Sequence, residues 1–235
     1  MYNLEILEKG CEELGITLSD TQKNQFIRFY EKNKVMNLTG ITEFDEVLVK
    51  HFLDSLCCVK AVDMGKIKTV MDIGTGAGFP GVPLKIAFPE VEACLLDSLN
   101  KRVKFLEETF ALLGLEGISA IHGRAEEYAK NKAYREKYDL CVSRAVSGLA
   151  TLSEYCLPYV KVGGLFVSYK SGSVKEEAEA AEKAVKILGG KIRDIQYFDL
   201  PGSEIGRSLV IIEKVKNTPG KYPRKAGTPL REPLA

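Results

Sequence analysis

Apolar positions in the first sixty residues recur at helical spacing. Leu4, Leu7, Cys11 and Leu14 share one face of a helix over residues 3–15, and Gly15 stops it. Ser19-Asp-Thr-Gln22 has the form of a capping box, which opens a second helix with Phe26, Ile27, Phe29 and Tyr30 on its apolar face. Asn37-Leu-Thr-Gly40 reads as a turn. Helical patterning resumes at Glu43 and runs through His51-Phe-Leu-Asp-Ser55 to about Val62. Such a region can cover one side of a sheet, face a substrate, or do both. After residue 66 short apolar runs alternate with helical stretches. Strands are expected near 68–73, 92–97, 118–122, 138–143 and 163–170, and helices near 80–87, 99–113, 124–132, 148–160 and 173–188. That rhythm implies a parallel sheet with helices on both faces and right-handed connections. Two more strands, about 191–198 and 207–215, are joined by a short loop with Pro201-Gly202, so they pair antiparallel. The expected organisation is an N-terminal helical region (1–66) packed on the core, an α/β domain (67–216) and a tail (217–235).

The 235 residues are 45% apolar and 28% charged, ordinary for a globular chain. A net charge of +1 gives no global attraction to polyanions, so any such attraction must be local. The tail is the one local excess. From Lys214 onward six basic residues face Glu232, a net of +5, leaving −4 on the remainder. Its prolines, Pro219, Pro223, Pro229 and Pro233, argue against a helix there. It reads either as a solvated end or as a basic arm for phosphates. No apolar run reaches eighteen residues, and the N-terminus lacks the regions of a signal peptide, so a cytoplasmic protein without membrane contact is expected. Six scattered cysteines lie in apolar surroundings with no C-x-x-C spacing, and read as reduced core residues rather than metal ligands.

The chemistry concentrates in Asp72-Ile-Gly-Thr-Gly-Ala-Gly-Phe-Pro-Gly81, which follows the first strand. Gly74, Gly76 and Gly78 permit a tight turn and bring bare backbone against a ligand. Gly76-Ala-Gly-Phe-Pro-Gly81 matches a dinucleotide fingerprint, but begins too far from the strand. The register from Asp72 begins in the right place and has the acid-x-Gly-x-Gly-x-Gly form of an S-adenosylmethionine (SAM) site. Asp72 would lie near the ligand's cationic end. Asp97 ends the second strand, where an acid can accept both ribose hydroxyls of either cofactor. Arg144 follows the fourth strand, Lys170 ends the fifth and Arg207 begins the last, so all three face the carboxyl ends of the sheet. No Asn/Asp-Pro-Pro-aromatic or Pro-Cys motif stands there, which disfavours methylation of an exocyclic amine or a pyrimidine carbon. His51, beside Phe52 and Leu53, reads as a structural hydrogen-bonder.

Several stretches together resemble the RsmG (GidB, glucose-inhibited division protein B) family of bacterial small-subunit rRNA guanine-N7 methyltransferases. They are Asn37-Leu-Thr, His51-Phe-Leu-Asp-Ser55, the glycine turn, Asp97-Ser-Leu-Asn-Lys-Arg-Val-Lys-Phe-Leu106, Gly123-Arg-Ala-Glu-Glu127, Ser143-Arg-Ala-Val146 and Tyr222-Pro-Arg-Lys-Ala-Gly-Thr-Pro229. The resemblance covers nearly the whole chain. It implies a Rossmann-like SAM-dependent methyltransferase sheet, mostly parallel with an antiparallel last strand. It implies SAM as cofactor, no metal, and 16S rRNA as partner, within the small subunit or an assembly intermediate, met by a monomer. Cofactor contact is expected from Asp72, Gly74, Gly76, Phe79, Asp97, Ala125, Glu126 and Arg144. Arg144 and Lys170 are the candidates at the reacting centre, and Lys170, Arg207, Arg224 and Lys225 the candidates for RNA. Phe79 reads equally well as a core residue, and Arg124 with Glu127 as a surface ion pair. A SAM enzyme acting on a small molecule or protein would share the same core, as would a nucleotide-binding module without activity.

Overall fold

The computed structural model describes residues 2–36, 40–41, 43–144 and 146–234. The expected turn at Asn37-Leu-Thr and residue Ala145 lie outside the described residues. Two helices open the chain, α1 (Glu5–Glu13) and α2 (Asp20–Met36). The capping box forms as read: the Ser19 N–H donates to Gln22 Oε1 at 2.8 Å and the Gln22 N–H to Ser19 Oγ at 3.3 Å. A helical run then passes through α3 (Phe44–Val47), a π-helical stretch Leu48–Leu53 and α4 (Asp54–Leu56) before two 3₁₀ turns. The wider π coil holds His51 and leads directly into Asp54. Such widenings recur at functional sites.

The sheet has seven strands: β1 (Thr69–Ile73), β2 (Glu92–Asp97), β3 (Ile118–His122), β4 (Tyr138–Arg144), β5 (Val160–Ser171), β6 (Gly190–Asp199) and β7 (Gly206–Lys214). Their order is β3-β2-β1-β4-β5-β7-β6. The first five are parallel, and β7 runs antiparallel between β5 and β6. The order reverses at β1 and β4, so a crevice opens beyond their carboxyl ends. The helices α5 (Gly81–Ala87), α6 (Asn100–Leu113), α7 (Ala125–Tyr128), α8 (Leu149–Cys156) and α9 (Lys175–Ile187) complete the α/β layers. One core joins the N-terminal helices to the sheet through Phe26, Phe29, Phe52, Val70, Leu95 and Leu140. The other face buries Leu152, Tyr159, Phe166 and Val185, with Tyr222 from the tail. All six cysteines are free and buried.

Two expectations change. The helix expected over 124–132 stops at Tyr128, and Asn131 accepts the Ala133 N–H at 2.9 Å to form a turn instead. The tail does hold a helix, α10 (Thr228–Arg231). Pro229 sits in its first turn, where the missing N–H costs nothing.

The tail is also neither a solvated end nor, at its anchor points, a free basic arm. Lys214, at the end of β7, is fully buried and donates to Leu157 O at 2.5 Å, Val160 O at 3.1 Å and Thr218 Oγ1 at 2.9 Å. Arg135 donates to the Thr218 and Tyr222 carbonyls at 2.7 and 3.0 Å. Arg224 grips the buried carboxylate of Glu154 through its backbone N–H, Nε and Nη2 at 2.7–3.1 Å. Acids that pair with the tail lie far upstream in sequence, so composition could not separate this strap from a loose end.

Candidate functional site

The glycine turn is built by its own acids. Asp72 is wholly buried, and its Oδ2 accepts from Thr75 Oγ1 at 2.7 Å and the Gly81 N–H at 2.9 Å. It thus ties the end of β1 to the first turn of α5. Burial pushes its carboxyl up to about 6. Asp97 accepts the Gly76 N–H at 2.9 Å on Oδ2 and the Leu99 N–H at 2.9 Å on Oδ1, with Arg102 Nη1 at 3.3 Å. Gly74 (φ +72°) and Gly76 (φ +62°) take the left-handed backbone that a side chain resists.

These groups border a cleft of about 330 Å³ at the carboxyl ends of β1–β4. Gly74, Asp97, Ala125, Glu126, Val146 and Tyr155 are among its walls. A Cβ on Gly74 would stand 2.6 Å from Val146 Cγ2, so bare backbone is required there, while one on Gly76 would meet nothing within 4 Å. A buried carboxylate, bare turn backbone and apolar walls at Ile73 and Leu96 suit a nucleoside with a cationic side arm.

Not every expected contact reaches this cleft. Asp72 points into the turn. Phe79 packs in the core, 5.1 Å from Phe29 and 4.8 Å from His51 between ring centroids. Glu126 borders the cleft, yet its Oε1 accepts the Gly227 N–H of the tail at 2.8 Å.

Arg144 turns the other way, into a second hollow of about 390 Å³ lined by Lys50, His51, Asp54, Tyr169, Lys170 and Arg207 among others. The buried Asp54 carboxylate organises it. Oδ2 accepts from Arg144 Nη1 at 2.7 Å and Oδ1 from Arg207 Nε at 3.2 Å. Arg144 also lies over the Phe79 ring, 5.1 Å from its centroid. Burial and the Arg144 charge lower His51 to about 4, so its imidazole is neutral. Lys170 Nζ donates to Ser147 O at 3.0 Å and Glu177 Oε1 at 2.7 Å. Arg144, Lys170 and Arg207 therefore converge as expected, on the hollow rather than the cleft. Arg224 and Lys225 do not join them. Asp54 was the residue missed as a site member. Its signals were a lone acid among Phe52, Leu53 and Leu56 and its place in the family-like stretch His51-Phe-Leu-Asp-Ser55.

A third hollow, about 360 Å³, opens at Thr69, Glu92 and Ile118, the amino ends of β1–β3, remote from this chemistry.

A parallel sheet with an antiparallel β7, a glycine turn after β1 and a nucleoside-sized cleft at the switch point define a Rossmann-like methyltransferase. Solved structures share the fold. A candidate O-methyltransferase from Klebsiella pneumoniae superposes with a TM-score of 0.55 at 13% identity, covering 86% of this chain and 94% of that one. A candidate transferase from Pyrococcus horikoshii gives 0.53 at 13% identity, covering 86% and 66%. The sequence profile of GidB, rRNA small subunit methyltransferase G, matches residues 22–205. Ribosomal RNA small subunit methyltransferase G of Alkaliphilus metalliredigens is 51% identical over 100% of both chains. That of Lachnoclostridium phytofermentans is 52% identical over 96% of this chain and 95% of its own. The chain belongs to this family.

Proposed function

We propose that the chain transfers a methyl group from SAM to N7 of a guanine in 16S rRNA, met in the small subunit or an assembly intermediate. One observation carries the reading: the turn after β4 divides a nucleoside-sized cleft from a cationic hollow. Arg144 faces the hollow, while Val146 and Ser147 border the cleft. Lys170, from the hollow, holds the Ser147 carbonyl. Residues 67–216 act as the methyltransferase domain, the N-terminal region supplies Lys50, His51 and Asp54 to the hollow, and the tail supplies Leu230 to the cleft.

In this reading Gly74 and Gly76 present backbone to the cofactor, and Asp97, Ala125 and Glu126 border its nucleoside. Bound SAM supplies an electrophilic methyl on a positive sulfur, which guanine N7 accepts through a lone pair that carries no proton. No general base is then required. His51, lowered to about 4, is a poor one and acts as a neutral acceptor for Arg144, whose Nη2 lies 3.4 Å from its Nδ1. Held by Asp54 and His51, the arginine keeps part of its guanidinium exposed on the hollow, where it meets the guanine O6 or a neighbouring phosphate. Rate enhancement comes from alignment and electrostatics. Bringing the base out of folded RNA costs unstacking, offset by contacts in the cationic hollow.

The test is mass spectrometry of 16S rRNA from cells lacking the protein, before and after treatment with the purified chain and SAM. A 7-methylguanosine that appears only on treatment supports the reading. A substrate carrying 7-deazaguanine at that position should bind yet stay unmethylated, and methyl transfer to it at the normal rate refutes N7 as acceptor.

A further inference from the structure

The strap formed by the tail reaches the cleft itself. Leu230, on α10, is among the cleft's walls although it is 61% exposed. Val146, also lining the cleft, is 39% exposed, and the ring of Tyr155 is half-buried beside it. A large apolar side chain held in water at the mouth of a polar cleft gains by meeting an apolar ligand face.

Its position is fixed from both sides. The Gly227 N–H is held by Glu126 Oε1 at 2.8 Å, and Thr151 Oγ1 donates to Pro229 O at 3.0 Å. Further on, Arg224 Nη2 donates to Glu232 O at 2.8 Å, so the guanidinium that grips Glu154 also closes the end of α10. Leu234 packs against the core beneath. The anchor Glu126 lies beyond Asp97 from the glycine turn, in the first turn of α7, which follows β3. That is the nucleoside end of a ligand whose ribose meets Asp97.

We propose that the C-terminal segment is part of the cofactor site, with Leu230 as an apolar wall against the adenosine portion of SAM. The inference rests on the reading of the cleft as the SAM site. It makes the basic tail a cofactor-binding element first, and gives the acids Glu126 and Glu154 the task of positioning it.

Isothermal titration calorimetry with SAM and with 5′-methylthioadenosine tests this. The proteins are wild type, Leu230→Ala, Leu230→Met, a chain ending at Gly227, and Val162→Ala as an exposed apolar control on β5. That truncation keeps the Arg224 and Gly227 anchors, and far-UV spectra and melting report that each variant folds. Leu230→Ala should weaken both ligands alike, about fivefold, as loss of part of one leucine contact implies. The truncation should weaken them at least as much, Leu230→Met should restore binding, and Val162→Ala should match wild type. Wild-type affinity in both Leu230→Ala and the truncated chain overturns the proposal. Weakening of SAM alone, with 5′-methylthioadenosine unchanged, overturns the assignment to the adenosine end. Failure of the wild type to bind SAM instead refutes the cleft's assignment, a separate result.

Discussion

Asp54 is the single carboxylate on which two guanidiniums of the hollow depend, and Asp54→Asn measures that dependence. The residue is 5% exposed, Arg144 stands 2.7 Å from one oxygen and Arg207 3.2 Å from the other. Breaking a buried pair by removing one partner costs about 3–5 kcal/mol, because the other charge stays uncompensated. Both arginine side chains keep a path to water, with 15% and 21% of their surface exposed, so the lower end of that range applies. Asparagine keeps one acceptor and so recovers part of a hydrogen bond. The expected loss is therefore about 2 kcal/mol in urea unfolding at pH 7.5, with a similar slope. Freed from Asp54, Arg144 and Arg207 should also turn toward solvent, and single-turnover methyl transfer should fall by at least about tenfold, while calorimetric affinity for SAM stays within twofold. A variant as stable as wild type, or one with unchanged transfer, would show that the carboxylate does not organise the hollow. A large loss of SAM affinity would show that hollow and cleft are not separate sites.

Gly74→Val should abolish SAM binding in calorimetry while the far-UV spectrum survives, since φ is +72° and a Cβ would lie 2.6 Å from Val146. Arg224→Ala should cost about 3 kcal/mol in thermal or urea unfolding by stranding the buried Glu154, whereas the exposed Lys225→Ala should stay within about 0.5. Lys214 is lowered by burial from 10.5 to about 8, so the fold binds fewer protons than the unfolded chain between those values. Wild-type stability should rise from pH 8 to pH 10 relative to Lys214→Met, and parallel profiles would refute that role.

The strand and helix rhythm after residue 66 was legible because the central strands are short apolar runs and many of the connections between elements carry glycine or proline. The glycine turn was legible for the same local reason, and Asp97 because it ends a strand. What the sequence hid is long-range charge pairing. Glu154 reads as one more acid on an amphipathic helix, yet it is fully buried and matched by Arg224, seventy positions away. Asp72 reads as a ligand contact because it precedes the glycines, but it is buried in the turn with Oδ2 accepting from Thr75 and Gly81. Phe79 stands in the turn, yet its ring packs among aromatic rings of α2 and the π-helical stretch, which no local pattern announces.

The location of the chain's positive charge changes accordingly. Lys214 and Arg224 contribute to the tail's formal excess, but both are neutralised inside the fold, by Glu136 at 3.2 Å and by Glu154 at 2.7 Å. The cationic hollow, by contrast, gathers Lys50, Arg144, Lys170 and Arg207 from four separate parts of the chain, where no sequence window shows a basic cluster. Asp54 fixes Arg144 and Arg207, Glu46 holds Lys50 and Glu177 holds Lys170, and a fixed cation contributes more to a bound phosphate than a mobile one does. The proposed function thus places the polyanion at the sheet's carboxyl ends despite a net charge of only +1. The salt dependence of RNA binding should thus fall more on Lys50→Ala, a residue of the hollow whose ammonium pairs at 2.6 Å with the exposed Glu46, than on Arg224→Ala, whose charge is spent on the fully buried Glu154. Equal slopes for the two variants would place the RNA on the tail instead.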